Sequence, residues 1–224
     1  MTYQEMLTKA VTLTQVPDYL SLLEEMDYLE YEQFAPICEA LTANPYFAEI
    51  PPESLSGIYK KIRRNNLLFS EKKINLAKTI YEKSGAVYSP ELGKLLTSSA
   101  EVHASSVSST LAFFEKIIDN KPAPEQFASI YEEVNYILKY YKRWSDLQRK
   151  GVLHLLDKLS QNVPDGLAAG YTKMAATAGI NCGYSEVLPY VMRGMQMSDN
   201  NKGSYEAVCD YVCEMVHKRH ADPA

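Results

Sequence analysis

Five times along this chain a proline is followed directly by an acid and then, within two residues, by a large apolar residue. The segments are Pro17-Asp18-Tyr19-Leu20-Ser21, Pro52-Glu53-Ser54-Leu55-Ser56, Pro90-Glu91-Leu92-Gly93-Lys94, Pro124-Glu125-Gln126-Phe127-Ala128 and Pro164-Asp165-Gly166-Leu167-Ala168. The prolines are 35, 38, 34 and 40 residues apart. Three segments also place a tyrosine seven residues after the proline, at Tyr59, Tyr131 and Tyr171. Each element of the pattern has a cause. Proline suits a first helical turn, where its missing N–H would have no partner in any case. The acid beside it meets the positive end of the helix dipole. The apolar residue and the tyrosine four positions later lie on one helix face, and the small residue between them lets a neighbouring helix come close.

The stretches between these openings are helical in period. Phe34, Ile37, Cys38 and Leu41 step by three and four residues, as do Ile74, Ala77, Ile80 and Tyr81, and Leu111, Phe114, Ile117 and Ile118. Strand-like alternation is missing, and Asp165-Gly166 is expected to open a helix rather than a hairpin. The chain is expected to be all-α, with about a dozen helices. Each proline opens a helix A, and a helix B follows: Glu32 to Ala43, Glu71 to Lys83 with Ser70 as cap and Gly85 beyond, Asp146 to Leu159 with Ser145 as cap, and Ser185 to Met195 after a turn at Gly179 and Asn181 to Gly183. A lone helix B is expected at Tyr3 to Leu13 and a lone helix A at Ser204 to Lys218. This reading gives an α-solenoid of antiparallel helix pairs, about five repeats of ~37 residues, forming a single domain over residues 1–224.

The degenerate Pro-acid-x-Leu-small opening with its later Tyr or Leu resembles the octotricopeptide and heptatricopeptide repeats of FAST-kinase-like and RAP-domain proteins. That resemblance implies RNA handling, or membership of a ribosome or another organellar assembly. Pentatricopeptide, tetratricopeptide and HEAT-like repeats are similar in build, and HEAT-like repeats imply protein binding. The chain departs from the organellar families in lacking a C-terminal stretch that reads as a RAP module and in being acidic, with a formal net charge of −5.

The charge is unevenly spread. From Ala10 to Ile58 there are nine acids and no Lys or Arg, and from Tyr59 to Lys83 there are eight bases against two acids. The balance argues against a general nucleic-acid binder but leaves local basic faces. Two such faces interleave bases with aromatic rings: Tyr59-Lys60-Lys61-Ile62-Arg63-Arg64 and Lys139-Tyr140-Tyr141-Lys142-Arg143-Trp144. Lys and Arg neutralise phosphates and flat rings stack on unpaired bases, so Tyr59, Lys60, Lys61, Arg63, Arg64, Lys139, Tyr140, Lys142, Arg143 and Trp144 are the candidate binding residues for RNA or an acidic partner. The same bases at helix C-termini complement the dipole, and the rings fill spaces between helices.

No catalytic motif emerges. Cys209, Cys213, His217 and His220 lie on the last expected helix, but about 16 Å separates Cys209 from His220, too far for one ion to reach all four. Cys38 and Cys182 have no ligand-like spacing. His103 sits in a Ser/Ala-rich stretch read as a turn capped by Ser105 or Ser106, and His154 is isolated. There is no phosphate-binding Gly-rich loop, no His-Glu-x-x-His and no Gly-x-Ser-x-Gly. No catalytic residue, metal or cofactor is assigned, and no small-molecule substrate is expected. No apolar run reaches about 18 residues, so no membrane insertion is expected. Met1 to Glu5 do not begin a signal peptide, and four irregularly spaced cysteines suit a reducing compartment, cytosol or organelle matrix.

The expected function is a non-enzymatic helical-repeat scaffold or adaptor subunit that binds protein partners in a larger assembly. An RNA-binding organellar repeat protein is the alternative, and a small metal- or Cys-dependent enzyme on the last helix the second alternative. Both terminal helices present apolar residues, Met6, Leu7, Ala10 and Val11 in one, Val208, Tyr211, Val212 and Met215 in the other. A partner is therefore expected over at least one end.

Overall fold

A computed structural model describes residues 1–26, 29–64, 70–100, 104–141 and 143–197, together with Glu206, Cys209, Asp210, Val212, Cys213 and His217. The described residues are all-α, with no strand among them. They divide into two compact units, Met1–Ser106 and Val107–Ala224.

The first unit contains α1 (Tyr3–Thr12), α2 (Val16–Glu25), α3 (Tyr31–Ala43), a 3-10 turn at Pro45–Glu49, α4 (Pro52–Arg64), α5 (Ser70–Lys83) and α6 (Pro90–Ala100). Thr2 starts α1 with a reciprocal cap, donating and accepting through Glu5. Pro17, Pro52 and Pro90 all lie in the first turn of their helices, each followed by an acid. Helices pack on those two positions away: α1 on α3 and α3 on α5, α2 on α4 and α4 on α6. The core is built from Met6 and Ala10, Tyr19 and Leu22, Phe34, Ile37 and Leu41, Leu55, Tyr59 and Ile62, and Ile74, Ile80 and Tyr81. Asn44 secures the end of α1. Its buried amide donates to the carbonyls of Ala10 (3.2 Å) and Leu13 (3.0 Å), while its Oδ1 accepts from the Tyr46 N–H.

The second unit contains α7 (Ala104–Asp119) from Val107 onward, α8 (Phe127–Tyr140), α9 (Asp146–Ser160), α10 (Ala168–Cys182) and α11 (Tyr184–Met197). α8 packs on α10 and α9 on α11, and α9 and α11 both touch α10. Lys158 reaches Asp119 at 2.7 Å and His154 reaches Glu115 at 3.3 Å, linking α9 to α7. Ser145 caps α9, accepting from the Gln148 N–H while its own N–H donates to Gln148 Oε1. Tyr131 and Tyr171 meet edge to face at 6.3 Å, and Tyr171 donates to the Leu156 carbonyl at 3.2 Å. All three tyrosines of the repeated pattern, Tyr59, Tyr131 and Tyr171, are buried.

Several expectations need correction. Pro164-Asp165-Gly166 does not open a helix. Gly166 takes a left-handed φ of +81°, Leu167 N–H closes a turn on the Pro164 carbonyl, and α10 starts at Ala168. Pro124 opens a 3-10 turn that passes into α8. Gly179 is inside α10 rather than in a turn, because α11 lies against it. A Cβ there would come within 2.6 Å of Tyr184 Cδ1. Gly183, at φ +94°, makes the real break. Ser105 and Ser106 belong to α7, not to a turn before it; His103 lies outside the described residues. The small residues after the apolar position do not admit neighbouring helices in general: Ser21 and Ala128 are exposed, and only Ala168 is buried. Leu20 does not face the core either; it is 37% exposed, and Tyr19 takes the buried position.

At the ends, α1 buries Met6 and Ala10 and leaves Val11 exposed. In the last expected helix, Glu206, Cys209, Asp210, Val212, Cys213 and His217 are helical, with Val212 partly buried. Val208, Tyr211, Met215 and His220 lie outside the described residues.

Candidate functional site

Helical geometry divides the first basic-aromatic face. Tyr59 and Ile62 point into the core, and burial pushes the Tyr59 hydroxyl well above its usual range. Lys60 and Arg64, four residues apart, face outward. Arg63 pairs with Glu91 of α6 at 3.2 Å. Burial alone would raise the Glu91 carboxyl, but Lys94 and Arg63 outweigh it and hold the group below the usual carboxylate range. Lys61 turns toward α3, its Nζ 5.4 Å from the centre of the Phe34 ring.

The second face divides differently. Trp144 is 8% exposed; its indole N–H donates to the Tyr141 carbonyl, and its ring meets Tyr141 edge to face at 5.1 Å. It therefore closes the α8–α9 junction and offers no platform. Tyr140 is 54% exposed, Lys139 Nζ stands 5.5 Å from its ring, and Arg143 is exposed. Lys142 lies outside the described residues. One residue that the sequence pattern did not single out joins this face. Tyr136, 40% exposed, stacks obliquely on Tyr140 with ring centres 4.4 Å apart. Its signal was the i, i+4 spacing of two tyrosines on an otherwise polar stripe.

The first unit also holds a groove that no single segment announces. α2 supplies Leu20, Leu23 and Glu24, α3 supplies Phe34, and α4 supplies Ser54, Gly57, Ile58 and Lys61, around a volume of about 280 Å³. The walls are mostly apolar, with Glu24 and Lys61 as the charged residues among them. Gly57 leaves the α4 wall bare: a Cβ built there meets no atom within 4 Å. The exposure of Leu20 has its explanation here, since it forms one wall.

All four cysteines are free thiols. Burial drives the Cys38 thiol far above its usual range and pushes Cys182 up to about 11, which works against a thiolate at neutral pH. Among the described residues no cluster of three or more His, Cys, Asp or Glu is placed to hold a metal ion, and no helix is long and apolar enough to cross a membrane. The chain matches no protein-family model, no curated protein and no solved structure.

Proposed function

We propose that the chain is a non-enzymatic helical-repeat scaffold subunit whose surfaces hold protein partners within a larger assembly. The observation that carries this reading is the largely apolar groove walled by α2, α3 and α4, a concave surface suited to another chain's side chains. The packing of α1 on α3, α3 on α5, α2 on α4 and α4 on α6 in the first unit, and of α8 on α10 and α9 on α11 in the second, supports the finer architecture, a stack of antiparallel hairpins. The raised thiols of Cys38 and Cys182 weigh against those two residues as thiolate nucleophiles. The full chain, tagged and isolated from its native source under mild conditions, is expected to bring a protein companion in fixed proportion. Recovery of the chain alone, at its own mass, refutes the reading.

A second reading, RNA binding, is favoured by the stacked and exposed Tyr136 and Tyr140 beside Lys139 and Arg143. Rings of this kind stack on bases and the cations meet phosphates. Reversing the charge of Lys139 and Arg143 is then expected to abolish single-stranded RNA binding that also falls steeply with salt. Failure to bind such RNA at low salt ends this reading.

A further inference from the structure

The groove also carries information about its occupant. Its floor and walls are Leu20, Leu23, Phe34 and Ile58, and the bare backbone at Gly57 leaves space for an incoming side chain. The charge around it is lopsided. Residues 1–64 contain ten acids and five bases, a deficit equal to the net charge of the whole chain, −5. Glu24 stands in the groove wall and is exposed, and Asp18 on α2, Glu30 and Glu32 at the start of α3 and Glu53 on α4 are exposed on the helices that form it. Of the five bases, Arg63 is held by Glu91, and Lys61, which lines the groove with Glu24, carries its ammonium over the Phe34 ring.

We infer that this groove docks a basic, apolar-anchored segment of a partner protein. One Leu-sized side chain enters beside Gly57, against Leu20, Leu23, Phe34 and Ile58, and a neighbouring Lys or Arg meets Glu24. The apolar contact supplies affinity, and the anionic surround selects against acidic partners and speeds encounter. The inference rests on the scaffold reading in that the occupant is a protein segment.

Three short labelled peptides test it against the full chain by fluorescence anisotropy: one of alternating Leu and Lys character, one with Glu in place of Lys, and one with Ser in place of Leu. The Leu/Lys peptide is expected to bind saturably and more weakly as salt rises; the other two are expected to bind at least about tenfold more weakly. Gly57→Leu fills the groove from a helical position with open space, so it is expected to keep the fold while reducing Leu/Lys binding by about tenfold or more. Glu24→Lys, an exposed substitution, is expected to reduce it too. Equal binding of the Leu/Glu or Ser/Lys peptide overturns the inference, as does full binding by a Gly57→Leu chain with unchanged helicity. A native protein companion that the Gly57→Leu chain still retains overturns the groove assignment and leaves the scaffold reading standing, whereas absence of any companion removes the scaffold reading itself.

Discussion

The same substitution, glycine to alanine inside a helix, is expected to have opposite effects at Gly57 and Gly194. In both cases the helix gains: alanine is about 0.8–1.0 kcal/mol more favourable than glycine in a helix interior. At Gly57 nothing opposes that gain, because the added methyl meets no atom within 4 Å. Gly57→Ala is expected to stabilise the chain by close to the full amount. At Gly194 the methyl would overlap Thr172 Oγ1 and sit 2.9 Å from Tyr171 Cδ1 and 3.1 Å from Thr172 Cβ. Neither side chain can step aside. Both are fully buried, Tyr171 is held to the Leu156 carbonyl, and Thr172 donates to the Ala168 carbonyl at 2.7 Å. Overpacking of this kind costs about 1–3 kcal/mol, so the net effect runs from neutral to a loss of about 2 kcal/mol. Gly179→Ala, facing Tyr184 and Val187, follows Gly194 in sign. Urea titrations by far-ultraviolet circular dichroism read the difference as a midpoint that rises for Gly57→Ala and stays level or falls for Gly194→Ala. A gain of about 1 kcal/mol corresponds to roughly 2–4 °C in Tm for a chain of this size. If Gly194→Ala raises the midpoint as Gly57→Ala does, the close approach of α11 to α10 is wrong. If Gly57→Ala lowers it, the groove is not open.

Three other outcomes follow from particular contacts. Asn44→Ala removes the donor to the Ala10 and Leu13 carbonyls and is expected to lower stability by about 1–3 kcal/mol; an unchanged urea midpoint would show that this link carries nothing. Tyr131→Phe is expected to be neutral or stabilising, because the Tyr131 hydroxyl is buried without a hydrogen-bond partner, whereas Tyr171→Phe loses a bond and is expected to cost about 0.5–1.5 kcal/mol; the reverse order in thermal unfolding would contradict the geometry. Glu91 binds its proton less readily when folded than when unfolded, so its contribution is present above the ordinary glutamate value of about 4.3 and is lost as pH falls through the lower folded value. Glu91→Gln is therefore expected to flatten the acid limb of a stability-against-pH curve, and an identical limb would remove Glu91 from the account.

The helices were legible wherever local chemistry decides them. Proline followed by an acid marks the starts of α2, α4 and α6, Ser145 marks α9, and Gly85 at φ +80° ends the turn after α5 as its position implied. The tyrosine seven residues after the proline was legible as core for the same reason: on a helix it must share the face of the apolar residue before it. Readings failed where a neighbour overrules the local signal. Gly179 looks like punctuation, but it is a contact surface for α11. Leu20 looks like core, but it forms one wall of a groove whose other walls come from α3 and α4. Tyr59 and Trp144 looked like stacking rings because bases flank them, but both are buried, whereas Tyr136 is exposed with its ring against Tyr140. Periodicity gives the face of a helix that is apolar; it does not tell which part of that face the next helix leaves uncovered.

The lone tryptophan of the chain has a practical consequence. Trp144 lies in the second unit, shielded from water and tied to the Tyr141 carbonyl, while the first unit contains tyrosines but no indole. Red-edge excitation, which phenol rings do not absorb, therefore produces emission from one half of the molecule only. Comparing that emission with the amide signal of the entire chain separates one melting event from two, without any attached dye.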